Sequence, residues 1–166
     1  MEVFHGTIYT FEEPKIKTSK KKTSDFGRGF YASTSLEQAE NWARKKMNKH
    51  RVSTAHIKVY EFVVKPSDNL KIKTFDNIDE WMDFVNNNRT NPEFKHDYDI
   101  VYGKVADDDI YQSISLYESG VISRETLKAN LLTKQDILVD QYSFHTPKAL
   151  KTLKLKRKID ICKGIA

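Results

Sequence analysis

Apolar residues return at steps of three and four in three stretches of the chain, and each stretch has a polar residue suited to start a helix. From Ser35, the run Ser35-Leu36-Glu37-Gln38 has the form of a capping box, in which Ser35 accepts from the Gln38 amide and Gln38 reaches back. The helix it opens carries Leu36, Ala39, Ala43 and Met47 on one stripe, with Glu37, Glu40, Arg44 and Lys45 outside it. A second helix starts near Asp76-Asn77, presents Ile78, Trp81, Met82 and Val85, and ends in the polar run Asn86-Asn87-Asn88. The third opens at Asp107-Asp108-Asp109, where carboxylates suit a helix N-terminus, and presents Ile110, Ile114 and Tyr117 before Gly120 stops it. A shorter helix follows Ser123.

Between these lie runs of period two. His56 to Val64 and Tyr98 to Val105 are rich in β-branched and aromatic residues and read as strands. Ile137 to His145 places Gln141, Ser143 and His145 on one face, and Tyr142 and Phe144 on the other. Leu153 to Ile161 alternates almost strictly: Leu153, Leu155, Ile159 and Ile161 point one way and Lys154, Lys156, Lys158 and Asp160 the other, a half-solvated strand. Strands at both ends with helices between them, and no strand-helix rhythm, predict a single α+β domain over residues 1–166 and argue against a doubly wound nucleotide fold. Pro14 to Ser24, with Lys15, Lys17, Lys20, Lys21 and Lys22, and the polar stretch Asn86 to Lys95 are expected to be loops.

Composition narrows the classes. The chain has 166 residues, 39% hydrophobic and 31% charged, which excludes a disordered polyelectrolyte and allows a real core without disulfides. No apolar window is long enough to span a membrane, and Met1-Glu2-Val3-Phe4-His5 lacks the pattern of an export signal, so the expected compartment is the cytoplasm. One cysteine, Cys162, leaves no zinc cluster, and no metal is expected. A net charge of +5 favours an anionic partner only weakly.

Walker loops, serine-nucleophile elbows and dinucleotide glycine fingerprints are absent, since Gly27-Arg28-Gly29 lacks the third glycine. Three strand-borne pieces remain: Phe4-His5-Gly6-Thr7, the run Asp25 to Ser35, and Asp140-Gln141-Tyr142-Ser143-Phe144. In this order they resemble the ADP-ribosyltransferase superfamily, in its diphtheria-toxin and poly(ADP-ribose) polymerase branch. His5-Gly6-Thr7 is similar to that branch's first-strand motif. Phe26-Gly27-Arg28-Gly29-Phe30-Tyr31 is similar to its second, and Trp42 follows Tyr31 at the offset of eleven where that branch has an aromatic residue. Gln141 falls where its catalytic glutamate usually stands. The chain also resembles an uncharacterised bacterial domain family of that fold, often encoded beside a small partner protein.

The resemblance implies two packed, mostly antiparallel sheets forming an NAD cleft with flanking helices, and mono-ADP-ribosyl transfer from NAD to a protein or nucleic acid. The setting it implies is a toxin-antitoxin or phage-defence system with a small antitoxin as partner. NAD would be a co-substrate. His5, Tyr31 and Gln141 would form the catalytic triad, with His5 donating to a ribose hydroxyl and Gln141 bonding the 2′-hydroxyl of the reacting ribose. The Gly6 backbone would pair with the carboxamide, and Tyr31 and Trp42 would sandwich the nicotinamide ring. Thr7, Gly29 and Ser35 would line the site, and Arg28 or the lysines of the 15–22 loop would neutralise the pyrophosphate. Ala39 stands where that branch often has a serine, so Ser35 or Ser33 would substitute. A neutral Gln141 disfavours polymer elongation, because a dipole stabilises a cation less than a full charge does. Ser33-Thr34-Ser35 matches one motif of the arginine-modifying branch, but His5 and Val139 do not fit the others. Two rival readings are an inactive NAD- or ADP-ribose-binding module and a basic nucleic-acid-binding domain. An RNA-end phosphotransferase shares the fold but depends on placed arginines, of which the chain has six in all.

Overall fold

The structure, a computed structural model, describes residues 1–17, 24–134, 136 and 138–164. Seven strands are present: β1 (Glu2–Thr7), β2 (Phe30–Ser33), β3 (Thr54–Phe62), β4 (Ile72–Lys73), β5 (Ile100–Lys104), β6 (Asp140–Phe144) and β7 (Leu153–Cys162). Five helices accompany them: α1 (Leu36–His50), α2 (Ile78–Thr90), α3 (Asp108–Glu118), α4 (Arg124–Leu132) and the short α5 (Pro147–Leu150). The expected α+β class holds, and the strands form one sheet in the order β4-β5-β6-β2-β1-β3-β7, antiparallel except at the β4–β5 edge.

Two packed sheets were expected; the strands instead belong to one hydrogen-bonded sheet. Its two halves, β4-β5-β6-β2 and β1-β3-β7, join through a single registered pair, Phe4 with Ser33. Both halves feed one core cluster: Val3, Tyr60 and Phe62 from one, Phe30, Ala32, Ile100 and Phe144 from the other. Every one of these is at most 7% exposed, so burial of this shared cluster holds the halves together where the ladder does not.

The caps form where polar residues precede the apolar periods. Ser35 accepts from the Gln38 amide at 3.2 Å, Asn77 from Glu80, Asp107 from Ile110 and Ser123 from Thr126. The backward half of the first capping box is replaced, because the Ser35 amide is taken by the Ser33 hydroxyl at 3.0 Å. Ala39, Ala43 and Met47 of α1 pack on Ala55, Ile57, Val59 and Ile161, while Leu36, the first residue of the helix, is 40% exposed. Helices α2, α3 and α4 cover β5 through Trp81, Val85, Ile110, Ile114, Leu127 and Leu131.

Two expectations need correction, and one strand was not anticipated. Helix α2 runs through the asparagines to Thr90, because Asn88 is buried and turns its amide onto the Phe84 carbonyl at 2.9 Å; only the remainder of 86–95 is irregular. The even alternation of β7 does not describe one face. Between the pairs Val59–Arg157 and Tyr60–Leu155 the register shifts, leaving Lys156 as an extra residue, so Ile159 and Ile161 face the α1 core while Leu153 packs on the opposite cluster. The strand β4 carries no apolar run and is formed by its parallel pairing with β5. Of the lysine-rich 14–24 loop, residues 18–23 lie outside the described residues, as do Ile137 and Ala166.

Candidate functional site

The junction between the two half-sheets is where the site residues gather. Met1 and Phe62 exchange backbone bonds, so the odd residues of β1 bond toward β3 and the even ones, Phe4 and Gly6, turn their backbone groups toward β2. On β2, Thr34 bonds outward to Asp140, so Tyr31 and Ser33 turn toward β1. Phe4 and Ser33 pair; the next pair in the ladder would be Gly6 with Tyr31, and it is not formed. In its place the His5 ring meets the Tyr31 carbonyl at 2.6 Å, and the Lys46 ammonium of α1 meets the Gly6 carbonyl at 3.1 Å. Beyond Phe4 and Ser33 the two strands make no further registered pair, and side chains meet their polar backbone edges.

Gly6 lies under α1. A β-carbon at this position would fall 2.2 Å from the Ala39 carbonyl oxygen and 3.1 Å from Ala43, so only glycine lets the helix descend onto the strand. Its neighbour Thr7 is buried, and its hydroxyl accepts from the Tyr9 amide at 3.1 Å, which fixes the chain leaving β1.

His5 stacks on Phe30 at 4.3 Å between ring centroids. Burial, with Lys46 adding to it, lowers its pKa to about 3, so the ring is neutral at physiological pH. A carbonyl can only accept, so Nδ1 carries the proton and Nε2 is the ring's acceptor. The expectation that His5 donates to a ligand hydroxyl is therefore corrected: its one N–H is committed to Tyr31, and toward a ligand it can only accept.

Tyr31 is half-buried, with its hydroxyl donating to the Gly27 carbonyl at 2.6 Å and accepting from the Phe26 amide at 3.0 Å. That closes the turn before β2, in which Gly27 takes φ of +88°. Burial, and then the nearby Asp25, push the Tyr31 hydroxyl well above its ordinary pKa, so it works as a neutral ring. Trp42 is 48% exposed on α1, with the Lys46 ammonium 5.4 Å from its ring centre. It is no part of the core, and an exposed indole beside a cation is available to a flat ligand. Burial, and then Lys17, lower Lys46 to about 8.

The other expected residues divide. Ser35 caps α1 and Ser33 receives the Ser35 amide, so each uses its oxygen as acceptor and keeps its O–H as a donor. Arg28 is exposed, while its carbonyl accepts from His145 Nδ1 at 2.7 Å. Gly29 is buried, and a β-carbon on it would come within 2.9 Å of the Phe144 carbonyl; its smallness serves the packing of β2 on β6.

Gln141 is 9% exposed and pairs with Ser33 across the β2–β6 ladder, on the face that carries Tyr31. Its Nε2 donates to the Asp25 carboxyl at 3.1 Å. Asp25, 3% exposed, also accepts from the Tyr111 hydroxyl at 3.0 Å, and the Arg89 guanidinium lies 4.6 Å from the Tyr111 ring centre. Burial raises the Asp25 pKa, opposed by Tyr111 and Arg89. Sequence reading assigned Asp25 no role. Its one signal was an acid directly before an apolar strand motif, and its partners come from α2, α3 and β6, 64 to 116 residues away. The acids Asp107, Asp108 and Asp109 serve α3: Asp107 caps it, and the others pair with Lys45 and Lys134.

Residues 1–155 match a protein family described as one of unknown function, DUF3990. The chain belongs to that family. No curated protein and no solved structure matches it. Within this family member no helix of the described residues is long and apolar enough to cross a membrane, and no group of three or more His, Cys, Asp or Glu side chains among them could hold a metal ion.

Proposed function

We propose that the chain is an NAD-dependent mono-ADP-ribosyltransferase acting on a protein or nucleic-acid acceptor, and that its fold is of the ADP-ribosyltransferase type. The observation that carries this reading is the broken β1–β2 ladder, where Gly6 and Tyr31 face each other unpaired with Gln141 on the same sheet face and Trp42 exposed on the helix above Gly6. A carboxamide needs one donor and one acceptor side by side, which an interrupted strand edge offers. The aromatic rings of Tyr31 and Trp42 pack on other partners and not on each other, so each can receive a flat heterocycle.

In the reaction, the bond between the ribose C1′ and the nicotinamide nitrogen breaks, and nicotinamide leaves as a neutral molecule with the electron pair. The acceptor nucleophile then bonds to C1′ and releases its proton to water. Positive charge develops on the ribose, and Gln141, whose Nε2 is held by Asp25, would accept at Oε1 from a ribose hydroxyl. His5 Nε2 accepts from a second hydroxyl, while Lys46 and Lys17 balance the pyrophosphate. A cytoplasmic setting, expected from the composition, and a small antitoxin partner with a toxin or phage-defence role, implied by the resemblance, belong to the same proposal.

The test is incubation of the purified chain with labelled NAD and a cell lysate, following free nicotinamide and macromolecule-bound label. Transfer lost in His5→Ala and Gln141→Ala supports the enzyme. NAD raising the melting temperature with no nicotinamide released points to a binding module, and no NAD effect with salt-sensitive nucleic-acid binding points to the basic-domain reading.

A further inference from the structure

Asp25 stands on the turn before β2, and its surroundings come from every element packed around it. Gln141 of β6 donates to one carboxyl oxygen at 3.1 Å, and Tyr111 of α3 donates to the other at 3.0 Å. Arg89 of α2 adds positive charge, and the backbone of Ala106 adds a further bond. Tyr31 of β2 is close enough for its hydroxyl to feel the carboxylate. The carboxyl is 3% exposed, with no direct ion pair to Arg89, whose own bridge runs to Glu118 at 3.3 Å. Among the described residues this buried acid holds neutral donors and no cation directly, a costly arrangement for stability alone.

Its effect on Gln141 is specific. Burial favours the neutral acid, but the Tyr111 hydroxyl, the Ala106 backbone and the Gln141 amide all donate to the carboxyl and favour its ionised, accept-only form; that form fixes which end of the amide faces it, so that Nε2 turns to Asp25 and Oε1 is left as the acceptor end. The carboxylate also brings a full negative charge within one side-chain length of the Gln141 amide, the position where the amide itself offers only a dipole.

Resting on the ADP-ribosyl-transfer reading, we propose that Asp25 is the positioning residue of this site: it orients the Gln141 amide to present Oε1 to the reacting ribose, and it supplies the negative charge that Gln141 lacks. Acid and hydrogen-bond acceptor, united elsewhere in one glutamate, are here divided between two segments of the chain.

The experiment uses the full chain, NAD as the probe, and nicotinamide release read as kcat and KM from pH 5 to 9, for wild type, Asp25→Asn, Gln141→Glu and the double variant. Asp25→Asn is expected to lower kcat on the order of 100-fold with KM for NAD changed less than about threefold. The double variant is expected to regain at least about tenfold of that loss, since the glutamate then carries charge and acceptor together. Gln141→Glu alone sets two carboxyls side by side, so its rate gains a titration between about pH 6 and 9 that wild type lacks. That profile carries the test even where Asp25→Asn does not fold. An active wild type with unchanged kcat in Asp25→Asn, no recovery in the double variant, or no new titration in Gln141→Glu overturns this proposal alone. A wild type that neither releases nicotinamide nor is heat-stabilised by NAD overturns the transferase reading and this proposal with it.

Discussion

The Ala39 carbonyl oxygen lies 2.2 Å from where a β-carbon on Gly6 would fall. Helix α1 therefore rests on β1 at the one position where the strand has no side chain, and this contact sets how closely Trp42 and Lys46 approach the strand edge. Because the obstructing atom is backbone, Gly6→Ala cannot be relieved by a rotamer change. The expected cost is about 1–3 kcal/mol, read as a lowered midpoint in urea, together with loss of any NAD-induced rise in melting temperature. A variant that keeps wild-type stability would show that α1 shifts freely on the sheet.

The two tryptophans of the chain should behave oppositely. Trp81 is 2% exposed and its indole donates to the Lys104 carbonyl at 3.2 Å, so Trp81→Ala is expected to cost about 3–5 kcal/mol. Trp42, 48% exposed, should change stability by no more than about 0.5 kcal/mol when replaced by alanine. Under the proposed function Trp42→Ala weakens NAD binding about fivefold, the equivalent of roughly 1 kcal/mol of stacking. Titration calorimetry with NAD on both proteins separates the two roles.

Lys156 makes a prediction that depends on its count and not on its chemistry. Its side chain is about half-exposed and pairs with Glu2 at 3.2 Å, so Lys156→Ala should alter stability by less than about 0.5 kcal/mol. Deleting Lys156 removes the extra residue of the bulge and turns either Leu153 or the pair Ile159 and Ile161 to the wrong face. Loss of cooperative unfolding in the deletion, beside a normal alanine variant, is the expected result by circular dichroism.

Two histidines make the fold acid-sensitive. Burial lowers His5 to about 3 and His145 to about 4, each with its Nδ1 tied to a carbonyl. In the unfolded chain both take up protons near pH 6.5, whereas in the folded chain they do so only below those lowered values, so falling pH favours unfolding across that window. Each should remove roughly 1–2 kcal/mol by pH 5. Asp25 acts in the opposite sense: its raised pKa stabilises the fold at low pH and that contribution is lost as pH rises through it. The stability of His145→Gln, measured from pH 7 to 4.5, should fall less steeply than that of wild type; an equal slope would mean that His145 is protonated in the folded state as readily as out of it.

Helices were legible along the chain because a cap and a 3.6-residue period are both local: Ser35, Asn77, Asp107 and Ser123 each sit three residues before the amide they bind. The strands His56 to Val64, Tyr98 to Val105 and the two near the C-terminus were legible for the same reason, since β-branched and aromatic residues at period two need no partner to be recognised. Asn86, Asn87 and Asn88 read as a stop in sequence, and only the packing that buries Asn88 carries the helix through all three to Thr90.

What the sequence determined by itself, then, was the set of elements, the α+β class and the three segments that hold His5, Tyr31 and Gln141. What tertiary structure decided were relations between distant segments. The ladder between β1 and β2 breaks after one pair because the Tyr31 carbonyl is taken by His5 and the Gly6 carbonyl by Lys46, and neither partner is visible in a window of sequence. The same holds for Asp25, whose importance lies wholly in Gln141 and Tyr111 reaching it from 116 and 86 residues away. Local preferences set each segment's conformation; burial and the need to satisfy polar groups within it chose which segments would meet.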